Sequence, residues 1–483
     1  MLFHSPEFLF GFLPVSLLVF YLTARRDTRL GILWLLVASV AFYAWWDWRF
    51  LAVLVPSMAF NFLTGEVMRS GRGPGSKAVL VGGILTNVVA LGVFKYTAFA
   101  VVSFNWLAGT AVSVPQVELP LGISFFTFTQ IAYLVDVYKG KASERDPVGF
   151  GLFVTFFPHL IAGPILHHAE MMPQFRKADV SRVDWARMQG AAALFLLGLF
   201  KKLVLADSFA QGVGPAFDTA STVSFVEAWS AILCYHFQLY FDFSGYTDMA
   251  IGLGLMFNIK LPENFNSPYR ALSIQDFWNR WHMTLSRFLR DYIYIPLGGN
   301  RHGTARTLFN LFMVFLIGGL WHGAGWTFVL WGAMHGVGMV VNRVWQSAGL
   351  RLNKVAAWFV TFLFINLSWA LFRAENWSAT VKMLRGMLGF DGFVLPQQVL
   401  DFLPFLRVAF TGQGTMPYLG GGTIMGFAEV CLLLVTGFAL TLWPVDGAAV
   451  RKRLAVLCVV MFPFVLQALL FKQTASPFLY FRF

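Results

Sequence analysis

Apolar residues run through this chain in long stretches, with neither the alternation of a half-buried strand nor the narrow stripe of a surface helix. A bilayer core is crossed by about 20 mostly apolar helical residues. Runs of that kind lie at 8–24, 30–46, 49–65, 78–101, 119–138, 188–206, 222–242, 307–320, 325–343, 355–373, 427–444 and 453–471. Two interrupted stretches, 149–165 and 243–258, read as re-entrant or interfacial pieces, since irregular backbone at membrane depth survives only inside protein or beside a cavity. The pattern predicts an all-α, polytopic membrane protein with ~11–13 spanning helices. No long linker or internal repeat divides the chain, so residues 1–483 are read as one membrane domain.

The polar positions fall mainly between the runs. Basic loops lie at 25–29, 69–77, 139–145, 176–187 and 260–306. Counting crossings returns each loop to one side, provided 149–165 dips in and returns. The positive-inside rule makes that side cytoplasmic and the N-terminus extracytoplasmic. Lys201 and Lys202 break the pattern inside 191–206. A charge at membrane depth costs several kcal/mol unless paired or wetted; of the two readings, snorkelling from near a helix end is favoured over burial.

Composition sharpens this. The chain is 57% hydrophobic and 12% charged, against about 25% charged in soluble domains, so lipid is the main solvent. A net charge of +12 would suit nucleic acid only as a basic stripe on a soluble fold, which loops between spans do not form. Cys234, Cys431 and Cys458 are isolated within apolar runs and read as packing residues. Residues 1–7 hold no Lys or Arg, so the first span reads as retained rather than as a cleaved leader.

The segment 260–306 does not belong in lipid. Trp278, Trp281, Leu285, Phe288, Leu289 and Tyr292 recur at spacings of three and four, which predicts one amphipathic helix with a start at Ser273 and Asp276. Asn279, Arg280, Arg287, Arg290 and Asp291 fall largely on its other side. His282 lies on the apolar side, about 40° from Trp278. The turn at 297–301 then returns the chain to the membrane. His322 follows the run 308–320 among Gly318, Gly319, Gly323 and Gly325, and an ionisable residue within a membrane segment is a functional candidate. His335 is thirteen residues on, about 220° round a continuous helix, so the two do not form a local metal pair.

HExxH, GxSxG, GxxxxGK[ST] and GxGxxG are absent. His167, His168 and Glu170 lack further ligands at useful spacing, so no metal site is assigned. What remains is acid–base chemistry by histidine in a membrane cavity. Acyl transfer to a hydroxyl needs a base, oxyanion donors and exclusion of water.

QLYFDFSGYTDMAIGLG (238–254), ENFNSPY (263–269), FWNRWHMTLSRFLRDYIYIPLGGN (277–300) and GGLWHGAGWTFVLWGAMHG (318–336) resemble the membrane-bound O-acyltransferase (MBOAT) family. The likeness is to its bacterial alginate O-acetylation branch, related to the D-alanine transfer protein of teichoic acid synthesis. PEFLFGFLPV (6–15), FYAWW (42–46), LPLGISFFTF (119–128), FFPHLIAGPI (156–165) and SPFLYFRF (476–483) extend it over nearly the whole chain.

The resemblance implies an MBOAT fold around a central tunnel, with a catalytic region at about 238–336. It implies that His322 and His282 are the active-site histidines, with His322 as general base and His282 orienting the donor or stabilising developing charge. Asn279, Arg280, Asp291, Asp242, Tyr246 and Trp321 are expected around the substrates, although solvated or structural roles stay open for them. The donor is expected to be a cytoplasmic thioester of the acyl-CoA type, such as acetyl-CoA, with no bound cofactor. Membrane lipids, a periplasmic acetyltransferase-type partner and an exported polysaccharide such as alginate are the expected partners, in a bacterial inner membrane. Nucleic acid is not among them. A transporter or flippase, with Lys201 and Asp242 on its path, and a non-catalytic scaffold are the rival readings.

Overall fold

The computed structural model describes residues 1–71, 74–142, 145–161, 163–177, 181–413, 424–443, 447–471 and 478–479. Only Phe478 and Leu479 of the closing 476–483 motif fall within them. Helices dominate the described residues; two three-residue strands, Val394–Pro396 and Thr411–Gln413, pair in parallel. Each predicted run lies largely within a helix. Glu7–Arg26, Trp48–Ser70, Gly75–Ala108, Gly303–His322, Lys354–Arg373 and Met425–Leu442 are long and apolar enough to cross a bilayer by themselves. Thr28–Ala44, Ile123–Tyr138 and Cys458–Phe471 are shorter apolar helices. Their outer sides expose large apolar residues, among them Val55, Leu63, Val67 and Phe359, as a lipid-facing surface does.

The interrupted stretch 149–165 forms two short helices, Pro147–Thr155 and Phe157–Leu160, bent at Phe156 and buried in protein from 149 to 161. The other stretch, 243–258, differs from expectation. It is the second half of one 32-residue helix, Phe225–Met256, about 48 Å long at 1.5 Å per residue. Ser224 and Glu227 form a capping box at its start. The helix is buried along its length, so its polar positions face protein rather than lipid and do not interrupt it. The helix Trp185–Phe200 lies against it backbone to backbone: a Cβ on Gly245 would come within 2.8 Å of the Gly198 carbonyl oxygen, and one on Gly252 within 2.8 Å of that of Ala191. Small residues permit this approach.

That approach carries a buried charge cluster. The helix Trp185–Phe200 continues as a wide π turn, Lys201–Ala206. Lys202, 2% exposed, lies 2.7 Å from Asp242 and 3.1 Å from Asp207. Lys201 donates to Asp248 at 2.6 Å. The snorkelling expectation is therefore corrected: the lysines turn inward because carboxylates on the central helix and on Asp207–Ala210 meet them.

The basic loops gather on one face, as crossing counts predict. Tyr21 donates to the Met256 carbonyl, and Asn258 to the Arg182 carbonyl. Arg69 donates to the Ala142 carbonyl, and Lys139 lies 5.8 Å from the Tyr292 ring centre. Gln174 bonds the backbone of Lys260 in both directions.

Replacing Lys202 by Met is expected to destabilise the fold, because it leaves Asp242 and Asp207 buried beside each other without a cation. Breaking a buried pair in this way costs about 3–5 kcal/mol. Thermal unfolding in detergent should show a lower midpoint and yield, and Lys202→Met with Asp242→Asn should recover part of both.

Candidate active site

Both histidines sit where regular helix stops. The helix Gly303–His322 ends on His322 because Gly323 and Gly325 are extended, with φ of −159° and −169°. The chain then turns into Trp326–Ser347. The two helices pack tightly: a Cβ on Gly319 would meet the Phe328 carbonyl oxygen at 2.5 Å, and one on Gly323 the Phe328 ring at 2.2 Å. His322 is 4% exposed, with Trp331 and Phe372 ring centres 5.2 and 5.3 Å away.

The single amphipathic helix expected through 274–292 is broken. Ile274–Trp278 is followed by a turn, and Met283–Leu289 begins a new helix that widens into a π turn, Arg290–Tyr294. His282 stands at the break in the left-handed region, φ 45° and ψ 53°. A side chain there is strained by roughly 1–2 kcal/mol, and such strain clusters at functional sites. The apolar stripe is still buried, from Trp278 to Leu289, since the break keeps those rings facing the core.

Asn264, from the 263–269 motif, holds the break. Its carbonyl accepts from Met283 N–H at 3.0 Å. Its side-chain Oδ1 accepts from Thr284 Oγ1 at 2.6 Å and from Thr284 N–H at 3.3 Å, and lies 3.3 Å from His282 Nδ1. A backbone N–H can only donate, so the atom at that point is the amide oxygen. His282 Nδ1 therefore carries the hydrogen, and Nε2 keeps its lone pair. Thr284 Oγ1 in turn accepts from Ile165 N–H at 3.0 Å, which joins the 156–165 motif to the site.

Trp321 stands between the histidines, its ring centre 6.2 Å from His282 and 4.9 Å from His322. It stacks on Phe128 and donates to the Ser124 carbonyl. His335, far round a notional continuous helix, is brought back by the turn at 323–325. Trp278 Nε1 donates to its Nδ1 at 3.2 Å, and Ser368 lies on its Nε2.

The remaining candidates divide. Asn279 lines a cavity of about 500 Å³ whose wall also holds Trp278, Met283, Arg287, Arg290 and Arg343. Arg280 is taken by Asp276 and the Asn266 carbonyl, and Asp291 by Arg290. Asp242 pairs with Lys202 and accepts from Leu479 N–H. Tyr246 stacks on Phe3 and lies tilted against Phe478. The cavity opens on the face of the basic loops. Its inner wall, at Trp278 and Met283, is one ring from His335 and one residue from His282.

Sequence reading passed over Asn264, although it quoted the motif that contains it. It also passed over Arg343 and over Lys95, whose Nζ donates to the Trp321 carbonyl at 2.5 Å. His167 and Glu170 are engaged with Arg287: its Nε donates to His167 Nε2 at 2.8 Å, and it pairs with Glu170 at 2.8 Å. His168 packs on Tyr133 and Phe153.

Two buried histidines thus stand at helix breaks, and the cavity lined by Arg287, Arg290 and Arg343 lies against the 274–294 segment that carries one of them. The family model for MBOAT, the membrane-bound O-acyltransferase family, matches residues 123–373, and the chain belongs to that family. It is an O-acyltransferase. A peptidoglycan O-acetyltransferase of Helicobacter pylori is 46% identical over 427 residues, 82% of this chain and 81% of the relative. A probable alginate O-acetylase of Pseudomonas aeruginosa is 41% identical over 405 residues, 82% and 76% of the two chains. A teichoic acid D-alanyltransferase of Streptococcus thermophilus is 27% identical over 282 residues, 52% of this chain and 68% of the relative.

Two outcomes follow from the site. Asn264→Ala removes the acceptor shared by Thr284 and His282, and turnover should fall about 10- to 100-fold, the kinetic equivalent of 1.4–2.7 kcal/mol; Asn264→Asp, which keeps an acceptor, should retain more. His167 lies in a loop outside the spans, and burial, then the Arg287 charge, lower its pKa to about 4. Its unfolded value is about 6.5, so the unfolded state binds the extra proton between pH 6.5 and 4 and stability falls as pH drops through that window. In thermal melts over that range, His167→Gln should show a shallower acid-side decline than wild type.

Proposed function

We propose that the chain, as one membrane domain, transfers an acetyl group from a cytoplasmic thioester donor to a hydroxyl acceptor that serves an extracytoplasmic polysaccharide. The observation that carries this reading is the cavity whose lining includes Arg287, Arg290 and Arg343 and also Met283, the residue after His282, and Trp278, which donates to His335. Guanidinium groups suit an anionic carrier arm, and the apolar inner wall suits a short acyl chain. An acyl-CoA-type donor, acetyl-CoA foremost, fits both ends without a bound cofactor. The relatives named for peptidoglycan and for alginate support a polysaccharide as the final acceptor. The immediate acceptor on this reading is a separate periplasmic acetyltransferase-type partner, and the setting is a bacterial inner membrane.

In the proposed mechanism His322 removes the proton of the acceptor hydroxyl as its oxygen attacks the thioester carbonyl. The new C–O bond forms, the C–S bond breaks, and the thiolate leaves with the proton from His322. His282, whose Nδ1 faces the Asn264 amide oxygen, orients a substrate by accepting a hydrogen bond at Nε2. That tautomer suits the orienting role better than the charge-stabilising one. Trp278, Trp321 and Trp331 keep bulk water from the reacting carbonyl.

Purified wild type and His322→Ala, given acetyl-CoA with and without the periplasmic partner, test the reading. Loss of a general base is worth about 10²–10⁴-fold, so thioester cleavage should fall by at least 100-fold in the variant at equal folded yield. Equal rates would remove His322 from the chemistry, and inert wild type would overturn the thioester donor.

A further inference from the structure

A lysine at the middle of an apolar helix needs an explanation that the mechanism does not supply. Lys95 lies within the long helix Gly75–Ala108 and is 9% exposed. Among the described residues no carboxylate pairs with it. Its ammonium instead meets three oxygens: the Trp321 carbonyl at 2.5 Å, the His322 carbonyl at 3.3 Å and Ser124 Oγ at 3.3 Å. Three donors thus find three acceptors. The next residue, Tyr96, donates to the Leu320 carbonyl.

Consecutive residues of an α-helix point about 100° apart. Here the chain passes through a π turn, Gly92–Tyr96, and the wider turn lets both side chains reach the same helix end. Insertions of this kind are frequent at functional positions. The helix Gly303–His322 stops inside the protein, so its last carbonyls lack intrahelical partners. A cation placed there also meets the negative end of the helix dipole. Two neighbouring residues on one helix therefore take three successive carbonyls, of residues 320, 321 and 322, on another.

We infer that Lys95 and Tyr96 are positioning residues that clamp the helix end bearing His322 and fix its imidazole for acyl transfer. The inference rests on the catalytic role proposed for His322. Lys95 contacts backbone oxygens, not the imidazole, so it acts through geometry. A misplacement of about 1 Å at a reacting group is enough to cost about 100-fold in rate. A lysine kept only to fill space would be replaced by methionine at no such loss.

The test compares wild type, Lys95→Met, Lys95→Arg and Tyr96→Phe as full-length protein in detergent, with two readouts. The first is hydrogen exchange of the amides of residues 318–326, which needs no activity. Lys95→Met should raise it about tenfold while residues 303–314 stay protected, a local opening rather than a global one. The second is acetyl-CoA turnover, in which Lys95→Met should lower kcat about 100-fold with the donor KM held within about twofold. Lys95→Arg, which restores donors to the same carbonyls, should recover to within about tenfold of wild type. Unchanged exchange in Lys95→Met overturns the clamp. Faster exchange with unchanged kcat overturns its role in catalysis. If Lys95→Met does not accumulate as folded protein, Tyr96→Phe, which keeps the charge, should show the same two changes in smaller measure, and no change in either overturns the inference. If wild type cleaves no thioester, the proposed function fails, and the exchange readout alone decides whether Lys95 holds the helix end.

Discussion

A helix that stops inside a membrane protein leaves backbone carbonyls that water cannot reach, and each must find a donor from the protein itself. The site of this chain is built on that constraint. Gly323 and Gly325 end one helix at His322, and Lys95, Tyr96 and the close packing of Phe328 take up the consequences. The same logic operates at His282, where a left-handed residue breaks a helix and Asn264 receives the freed N–H groups. Both histidines thus stand at breaks whose backbone is satisfied from elsewhere in the fold. Regular helix would bury these rings among neighbours at i±3 and i±4; at the breaks both lie against the Trp321 ring.

The frame around the breaks tolerates charge because it pairs it. The central helix Phe225–Met256 carries Asp242 and Asp248 into a buried region, and the π turn Lys201–Ala206 brings two lysines to meet them. On the same stretch, Phe243 packs edge-on against His282, and Tyr246 stacks on Phe3 and lies tilted against Phe478. Holding that helix in register thereby holds one wall of the site. Outside this frame the basic loops gather on one face, where Arg287 is fixed by His167 and Glu170 beside the cavity.

Much of this was legible in the sequence, and the exceptions share a cause. Apolar runs located the helices, basic loops located one face, and the glycines around His322 pointed to the close helix approach found there. The stretch 243–258 does not read as a span because Ser244, Thr247 and Asp248 lower its apolarity; only the neighbouring helix, touching through Gly198, Gly245 and Gly252, makes those positions interior. Lys202 was misread for the same reason, since its partner Asp207 is near in sequence while Asp242 is forty residues away. Helical periodicity through 274–292 was real as a pattern of burial, yet it gave no sign of the break at His282, which depends on Asn264 across the fold. Lys95 was silent because a single charge hardly alters a long apolar run, and its three acceptors come from other helices. Each miss concerns a polar group whose partner is distant in sequence.

On the proposed function, a thioester arm enters through the arginine-rimmed cavity and places its acyl carbon at the two histidines. The most direct measurement is a structure of the chain with a non-hydrolysable thioether analogue of acetyl-CoA. The account predicts that the carrier arm threads past Arg287 and Trp278 and that its acetyl end lies about 3.5 Å from a ring nitrogen of His322 or His282, as a near-attack geometry requires. An analogue bound elsewhere, or one whose acetyl end stops short of both imidazoles with the cavity empty, would contradict it.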